Sequence, residues 1–502
     1  MDSKLYNRVS PADLFERLDS EYYSSDLMHN EQKISAFKQV TLESIVDSSV
    51  PNNISDLTSN GSFEFLRGIE FNSTGGIPYI RTQNLMDNYL SDDGYLYVSS
   101  TSSEKVRKSL CNRGDLIVCR KGKVGSASSV PDRLQGAAIS ENVTRFSLDD
   151  TKDADFISVF LNSYHGRKRF LREATGVIQK WINNEKLREI KVIEIDHLAQ
   201  KYIGDKVRQA ERLRAWAKEL VNRADSTISS QFEFSLVPSM RSQPRSISSE
   251  LLSPVSLGPE FARASEGQAT FADSMKLEEY IDSCKCGDPI KSEDRVDGKY
   301  SYYGASGPID KHNDYNFDGE YLIVAQDGSI GCANIARGKF WANNHVWVVK
   351  LNAAYDIDSV CRYLDEHFPY WKGVTTGSVV PKVTSENLLN VQVPIAIAKN
   401  EYIGDLLRLS SNATSLSSTL VNIAKLLVED LIEGQVSEAE LVVAQKALDG
   451  GDESLDRALL ERMTAEGIDG EGDPLFDDTE QLYGLLEQAK QALDAEDSIA
   501  EA

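Results

Sequence analysis

Seven basic side chains, Lys105, Arg107, Lys108, Arg113, Arg120, Lys121 and Lys123, crowd one short stretch that holds only Glu104 and Asp115 as acids. That density suits contact with phosphates. The last three lie in GDLIVCRKGKVG, Gly114 to Gly125, where an apolar run meets a glycine-punctuated turn. A hairpin tip carrying Arg120, Lys121 and Lys123 could enter a DNA groove or grip its edge, although composition alone fits a solvated tip equally well. Roughly 200 residues on, GEYLIVAQDGSIG from Gly319 to Gly331 sets Gln326, Asp327 and Ser329 at the matching tip. Those side chains bond base edges as readily as they decorate a turn. Unlike tips on like hairpins suit two readers of different bases.

Other chemistry is missing from the sequence. It has no GxxxxGK(S/T) phosphate loop, no HExxH, no GxSxG elbow and no strand-GxGxxG-helix dinucleotide site, which argues against an ATPase, a zincin or a nucleotide-dependent oxidoreductase. The Asn/Asp-Pro-Pro-aromatic tetrapeptide with which amino-methyltransferases hold a target amine is missing too. Cys111, Cys119, Cys284, Cys286, Cys332 and Cys361 form no pair of CxxC motifs, so reduced, mostly buried thiols and no metal site are expected. A binding protein without a catalytic residue or bound cofactor of its own is the expectation.

The elements that must position these tips are written twice. ATGVIQKWINNEKLREIKV from Ala174 is echoed by TTGSVVPKVTSENLLNVQV from Thr375, and Tyr202-Ile203-Gly204-Asp205 recurs as Tyr402-Ile403-Gly404-Asp405. Three matches in one order, each displaced by roughly 200 residues, mark an internal repeat. Each half reads as a strand-rich unit followed by a long helix. In the first helix Ile203, Val207, Ala210, Leu213, Ala217, Leu220 and Ala224 recur in steps of four and three; in the second Leu409, Ala413, Leu416, Leu420, Ile423 and Leu427 do so. Helices this polar are marginal alone, so they are expected to pair antiparallel. The predicted fold is α+β, with two similar strand-rich units separated by two long antiparallel coiled-coil helices and a pseudo-twofold repeat.

The 502 residues, 41% hydrophobic and 26% charged, suffice for several domains. Boundaries are expected at 1–36 (a helical lead-in with Leu14, Leu18, Tyr22 and Tyr23 on its apolar face), 37–195 (first unit), 196–232 (first long helix), 233–272 (a Ser/Pro-rich linker), 273–394 (second unit), 395–434 (second long helix) and 435–502 (an acidic extension). The net charge of −24 opposes DNA binding at first sight, but the stretch after Gly434 carries 19 acids against 4 basic residues. Ala439, Leu441, Val442, Ala444 and Leu448, then Leu482, Leu485, Leu486 and Ala489, suggest two amphipathic helices there. Three roles stay open for this extension: docking a partner, mimicking DNA, or solubilising as a disordered tail. Neither a signal peptide nor an apolar span is evident, so a cytoplasmic location is expected.

GGIPYIRTQNLMD from Gly75 to Asp87, the Gly114 hairpin and SENVTRF from Ser140 resemble the target recognition domain of type I restriction-modification specificity subunits. YYGASGPIDKHNDYNFDGEYLIVAQDGSIG and KFWANNHVWVVK are similar to a second variant of that domain, and RLDSEYYSSDLMHNEQKI to the start of such subunits. The resemblance covers about residues 10 to 434. It implies two recognition domains, each reading half of a split double-stranded DNA site. It also implies two adenine-N6 methyltransferase subunits that use S-adenosylmethionine, and leaves open whether nuclease-translocase subunits join them. A helix of about 35 residues is about 50 Å long, enough to bridge major-groove faces that recur every ~34 Å.

The DNA-binding residues implied in the first unit are Tyr79, Arg81, Thr82, Asn84, Arg120, Lys121, Lys123, Ser140 and Asn142, with Arg81 and Asn84 alternatively anchoring their loop. In the second they are Tyr303, Ser306, Gln326, Ser329, Lys339, Trp341, Asn343, Asn344 and His345, the last equally readable as an interior histidine. Lys180, Trp181 and Lys382 suit either a phosphate contact or a helix lead-in. The rival readings are a self-contained DNA-modifying enzyme and a structural adaptor in a defence complex that no longer reads DNA.

Overall fold

The computed structural model describes residues 20–91, 93–176, 179–231, 273–291, 293–366, 382–476 and 479–500. The predicted linker 233–272 and most of the lead-in lie outside these residues; of the lead-in's apolar face, Tyr22 and Tyr23 are described and buried. Packing divides the chain into two compact units, Met1–Trp216 with Ala413–Ala502, and Ala217–Asn412. The division therefore cuts both long helices rather than falling at their ends.

In the first unit, helix α1 (Ser25–Ile34) precedes strand β1 (Gln39–Thr41), which pairs antiparallel with β10 (Lys191–Ile193). Between them lie β2 (Ile54–Ser55), helix α2 (Phe63–Leu66), β3 (Phe71–Asn72), β4 (Ile77–Ile80), β5 (Leu96–Val98), β6 (Leu116–Cys119), β7 (Ala127–Ser129), β8 (Ala138–Ile139) and β9 (Val143–Phe146). Helices α3 (Ala154–Asn162), α4 (Tyr164–Glu173) and α5 (Asn184–Glu189) follow. The strands form two four-stranded sheets, β2-β9-β6-β7 and β3-β5-β4-β8, with β4 parallel to β8.

The second unit pairs β11 (Ser274–Lys276) with β18 (Gln392–Pro394) and encloses one six-stranded sheet, β12-β17-β15-β16-β13-β14. Its strands are β12 (Ile281–Cys286), β13 (Tyr300–Gly304), β14 (Gly307–His312), β15 (Phe317–Ala325), β16 (Ala333–Ala342) and β17 (Val346–Leu351), with β13 parallel to β16. Helices α7 (Ile357–Glu366), α8 (Ser385–Leu389) and α9 (Ile395–Ala398) complete it. The two plans are the same. Joining β7 to β8 across the 3-10 turn Asp132–Leu134 would give the first unit the strand order that uninterrupted β16 gives the second, with β3 added at one edge.

The predicted hairpins are the cores of both units. Leu116, Ile117 and Cys119 are fully buried in one, and Leu322, Ile323 and Val324 are at most 1% exposed in the other. Each such aliphatic side chain contributes ~1.5–3 kcal/mol by leaving water. These central strands are covered on both faces, which is why their sequence reads as a run rather than an alternation.

The long helices are α6 (His197–Gln231) and α10 (Glu401–Glu433). Within the second unit, the Ser410 hydroxyl donates to Ala217 O at 2.9 Å and the Arg223 guanidinium to Tyr402 OH at 3.0 Å. One partner number rises as the other falls, so these portions run antiparallel. All seven predicted seam residues of α6 are buried. In α10 the seam instead runs Leu406, Ser410, Ala413, Ser417, Leu420, while the predicted Leu409 and Leu416 are only half-buried. Two serines hold seam positions because each hydroxyl finds a backbone carbonyl, Ser417 at Thr414 O, 2.7 Å.

The Tyr-Ile-Gly-Asp repeat has a physical cause. Arg208 holds Asp153, Asp155 and Asp205 at 2.7–3.0 Å, and Arg408 holds Asp356, Asp358 and Asp405 at 2.7–2.9 Å. Asp153 also accepts the backbone N–H groups of Asp155 and Phe156, capping α3, as Asp356 accepts that of Ser359 in α7. A Cβ on Gly204 would stand 2.7 Å from Asp153 Oδ1, and one on Gly404 2.2 Å from Asp356 Oδ2. Burial pushes the Asp155 carboxyl up to about 6 although Arg208 pulls it down.

The acidic extension is folded over its described residues, as α11 (Glu438–Asp449), α12 (Ser454–Glu461), a small hairpin of β19 (Met463–Thr464) and β20 (Gly467–Ile468), and α13 (Thr479–Ala500). The reading of it as a disordered solubiliser fails there. Leu441, Ala444, Leu460, Leu482 and Ala489 are buried, so its apolar spacing serves packing within the first unit. Asp456, 1% exposed, accepts from Lys206 Nζ at 2.6 and 2.7 Å, from Tyr202 OH at 2.5 Å and from Tyr483 OH. Among the described residues no helix is long and apolar enough to cross a membrane.

Candidate nucleic-acid interface

Four chain segments meet at the hairpin tip of the first unit, and three main-chain hydrogen bonds tie them together. Arg120 N–H donates to Asn142 O at 2.8 Å, Ile182 N–H to Arg120 O at 3.0 Å, and Ser140 N–H to Ile80 O at 3.0 Å. Gly122 turns the tip with φ 86°, in the left-handed region that favours glycine, and a Cβ there would meet Thr82 Cγ2 at 3.5 Å and Gln179 Nε2 at 3.7 Å. The surface so assembled comprises 81–83, 120–123, 140–142 and 179–182.

The second unit repeats these ties. Gln326 N–H donates to His345 O at 2.8 Å, Val383 N–H to Gln326 O at 2.8 Å, and Asn343 N–H to Tyr303 O at 3.0 Å. Gly328, φ 70°, turns the tip, and a Cβ on it would face Ala305 Cβ at 3.6 Å. Segments 304–306, 326–329, 343–345 and 382–383 thus match the first set bond for bond.

The segments carry different side chains. In the first unit Lys121 and Lys123 are exposed, Lys123 Nζ resting 3.4 Å from Leu85 O, and Trp181 is 46% exposed beside the Lys121 backbone. Lys180 is engaged by Glu21 at 2.6 Å, and Asn142 is half-buried with its amide on Glu141. In the second, Ser306, Ser329 and Asn344 are exposed, Gln326 is half-buried and the His345 side chain is 51% exposed, so His345 is not an interior histidine. Its Nδ1 lies 2.7 Å from Asp327 Oδ1, and Lys382 Nζ lies 3.5 Å from the other oxygen.

Several expected contacts serve the fold instead. Tyr79 is 5% exposed and packs on Phe71 at 4.9 Å, and burial raises its hydroxyl pKa. Tyr303 packs edge-on to Phe340 at 5.4 Å. Asn84, 1% exposed, anchors its loop by accepting from Arg81 N–H and donating to Ser91 and Asp93, and the Arg81 guanidinium donates to Gly94 O at 2.9 Å. Arg120 pairs with the buried Asp56 at 2.7 Å. Ser140 is 4% exposed and Asn343 8%, the latter accepting from His345 N–H. Lys339 lies over the Tyr315 ring and Trp341 donates to Asp288 O, so both side chains are engaged within their own unit.

The predicted basic patch is thinned likewise. Lys105 donates to Gly68 O at 2.6 Å and Arg113 pairs with Asp132 at 2.8 Å. Gln83 and Gln179 are on the surface but escaped the sequence-based site, since polar residues flanking a turn carry no distinguishing pattern. Cys286 is exposed, Cys284 and Cys332 half-buried, the other three thiols buried, and none is bonded to another.

Residues 272–420 match the family model of the type I restriction modification DNA specificity domain. Over 113 residues the chain is 35% identical to a Haemophilus influenzae protein described as a type I restriction enzyme specificity subunit, covering 21% of this chain and 28% of that relative's length. Among solved structures, a type I restriction-modification S subunit from M. genitalium aligns at 15% identity and TM-score 0.39, covering 84% of this chain and 96% of its own. The HsdS subunit of Thermoanaerobacter tengcongensis aligns at 12% identity and TM-score 0.26, with 80% and 97% covered. The family model and the Haemophilus influenzae relative bear out the sequence resemblance to type I specificity subunits, the matched domain lying at residues 272–420.

Proposed function

We propose that this chain is the non-catalytic specificity subunit of a type I restriction-modification complex, each unit reading one half of a bipartite double-stranded DNA site. The observation that supports this most is one main-chain arrangement occurring twice with different side chains on it. Lys121 and Lys123 neutralise phosphates and set register, while polar side chains at the tips contact base edges. Two adenine-N6 methyltransferase subunits, each using S-adenosylmethionine, flip and methylate an adenine, and nuclease-translocase subunits can join them. In this reading the chain holds no cofactor itself and works in the cytoplasm.

Mapping methylated adenines in a host with and without the gene tests the proposal. One split motif should lose methylation on deletion; an unchanged map rejects the reading. An adaptor that no longer reads DNA is favoured by one observation, Asp327 at the tip position held by Lys121 in the first unit. That rival requires an assembled complex without sequence preference.

A further inference from the structure

In the second unit one carboxylate organises two side chains at the candidate interface. A carboxylate only accepts hydrogen bonds, so the 2.7 Å contact of Asp327 Oδ1 with His345 Nδ1 places the ring proton on Nδ1. A neutral imidazole carries one N–H, and Nε2 is left with its lone pair. Among the described residues Nε2 has no partner. The backbone of His345 is fixed as well, its N–H donating to Asn343 Oδ1 at 2.9 Å and its carbonyl accepting from Gln326. Asp327 is 14% exposed against 51% for the ring, so the carboxylate sits behind the ring it orients.

The geometry points to Asp327 as a positioning residue that fixes His345 as an acceptor for an exocyclic amine on a DNA base edge, adenine N6 or cytosine N4. This rests on the second unit being a DNA reader. Both amines are donors in the major groove. A bare carboxylate there would be repelled by phosphates, and Lys382, 3.5 Å from the second oxygen, offsets its charge. Among the described residues a further titratable neighbour is Cys286, whose thiol is pushed up by burial and then by Asp288 and Asp327, and which therefore stays protonated. The first unit has Lys121, Asn142 and Trp181 at the matching positions, so it lacks this device and serves as an internal control.

The test is selection of bound sites from a random duplex pool by the full chain in its assembled complex. Wild type should select two base clusters. Asp327→Ala should relax one position of one cluster by about fivefold to tenfold, the size of one base-edge hydrogen bond. Asp327→Asn, whose amide oxygen still accepts from Nδ1–H, should restore it. At that position, a base analogue lacking the amine (purine for adenine, 2-pyrimidinone for cytosine) should weaken wild-type binding equally and leave Asp327→Ala indifferent; which analogue acts tells the two amines apart. Unchanged selection by Asp327→Ala overturns the inference, as does loss of both clusters. Wild type without any preference overturns the DNA-reading function and this inference with it.

Discussion

Arg120, Lys121, Gly122 and Lys123 in one unit and Gln326, Asp327, Gly328 and Ser329 in the other occupy the same backbone, fastened by the same main-chain donors and acceptors. One tip is cationic and faces a tryptophan; the other replaces its first lysine with a carboxylate that faces a lysine and a histidine. The joints between each unit and its long helix are equally alike, each an arginine on a long helix gripping three aspartates. The difference teaches that this scaffold separates support, which is duplicated, from surface chemistry, which is not.

The largest departure from the duplication is the extension, and breaking it should cost most. Lys206, whose repeat position holds Leu406, is 1% exposed with Asp456 as its partner. Lys206→Met would leave that carboxylate buried and unpaired, so the first unit should lose about 3–5 kcal/mol in denaturant unfolding. Asp456 has its carboxyl pKa lowered: burial opposes this, but Lys206 and the two tyrosine hydroxyls outweigh it. Its contribution should be complete above the ordinary aspartate value of 3.8 and lost as pH falls through the depressed folded value. Unfolding measured from pH 7 to 3 checks this, since Lys206→Met should show a flatter acid limb.

A smaller effect sharpens the likeness of the joints. Gly204→Ala and Gly404→Ala should each cost about 1–3 kcal/mol by pushing on a fixed carboxylate, with Gly404→Ala the worse because its Cβ would stand 2.2 rather than 2.7 Å away. Equal, negligible costs by thermal unfolding would show that the aspartates yield freely. The least effect separates the tips. Lys121→Ala with Lys123→Ala should lower the salt slope of DNA affinity by about one to two, whereas Ser329→Ala should leave it unchanged. A titration of binding against salt distinguishes them.

The repeat, both buried hairpin strands and the seam of α6 were legible in the sequence because each is a periodic or repeated pattern of apolar residues. The seam of α10 was misplaced by one residue at Ser410 and Ser417, because a serine reads as surface until its carbonyl partner is known. Within the site, the choice of loops was legible and the role of individual side chains was not. Arg120 reads as a phosphate ligand, yet its partner Asp56 lies 64 residues earlier and no local pattern announces it. The aspartates behind Arg208 are hidden for the same reason, 55 and 53 residues away. Tyr79, implied as a DNA contact by its motif, lies inside the strand Ile77–Ile80 and turns its ring into the core, which the motif alone does not announce.

The fastening of the tips by amide and carbonyl groups has an evolutionary corollary. Lys121, Lys123, Ser306, Ser329 and Asn344 lend no side chain to those backbone ties, so drift or exchange at these sites leaves folding intact. If these tips read DNA as proposed, a lineage can thus acquire a new target without passing through a misfolded ancestor.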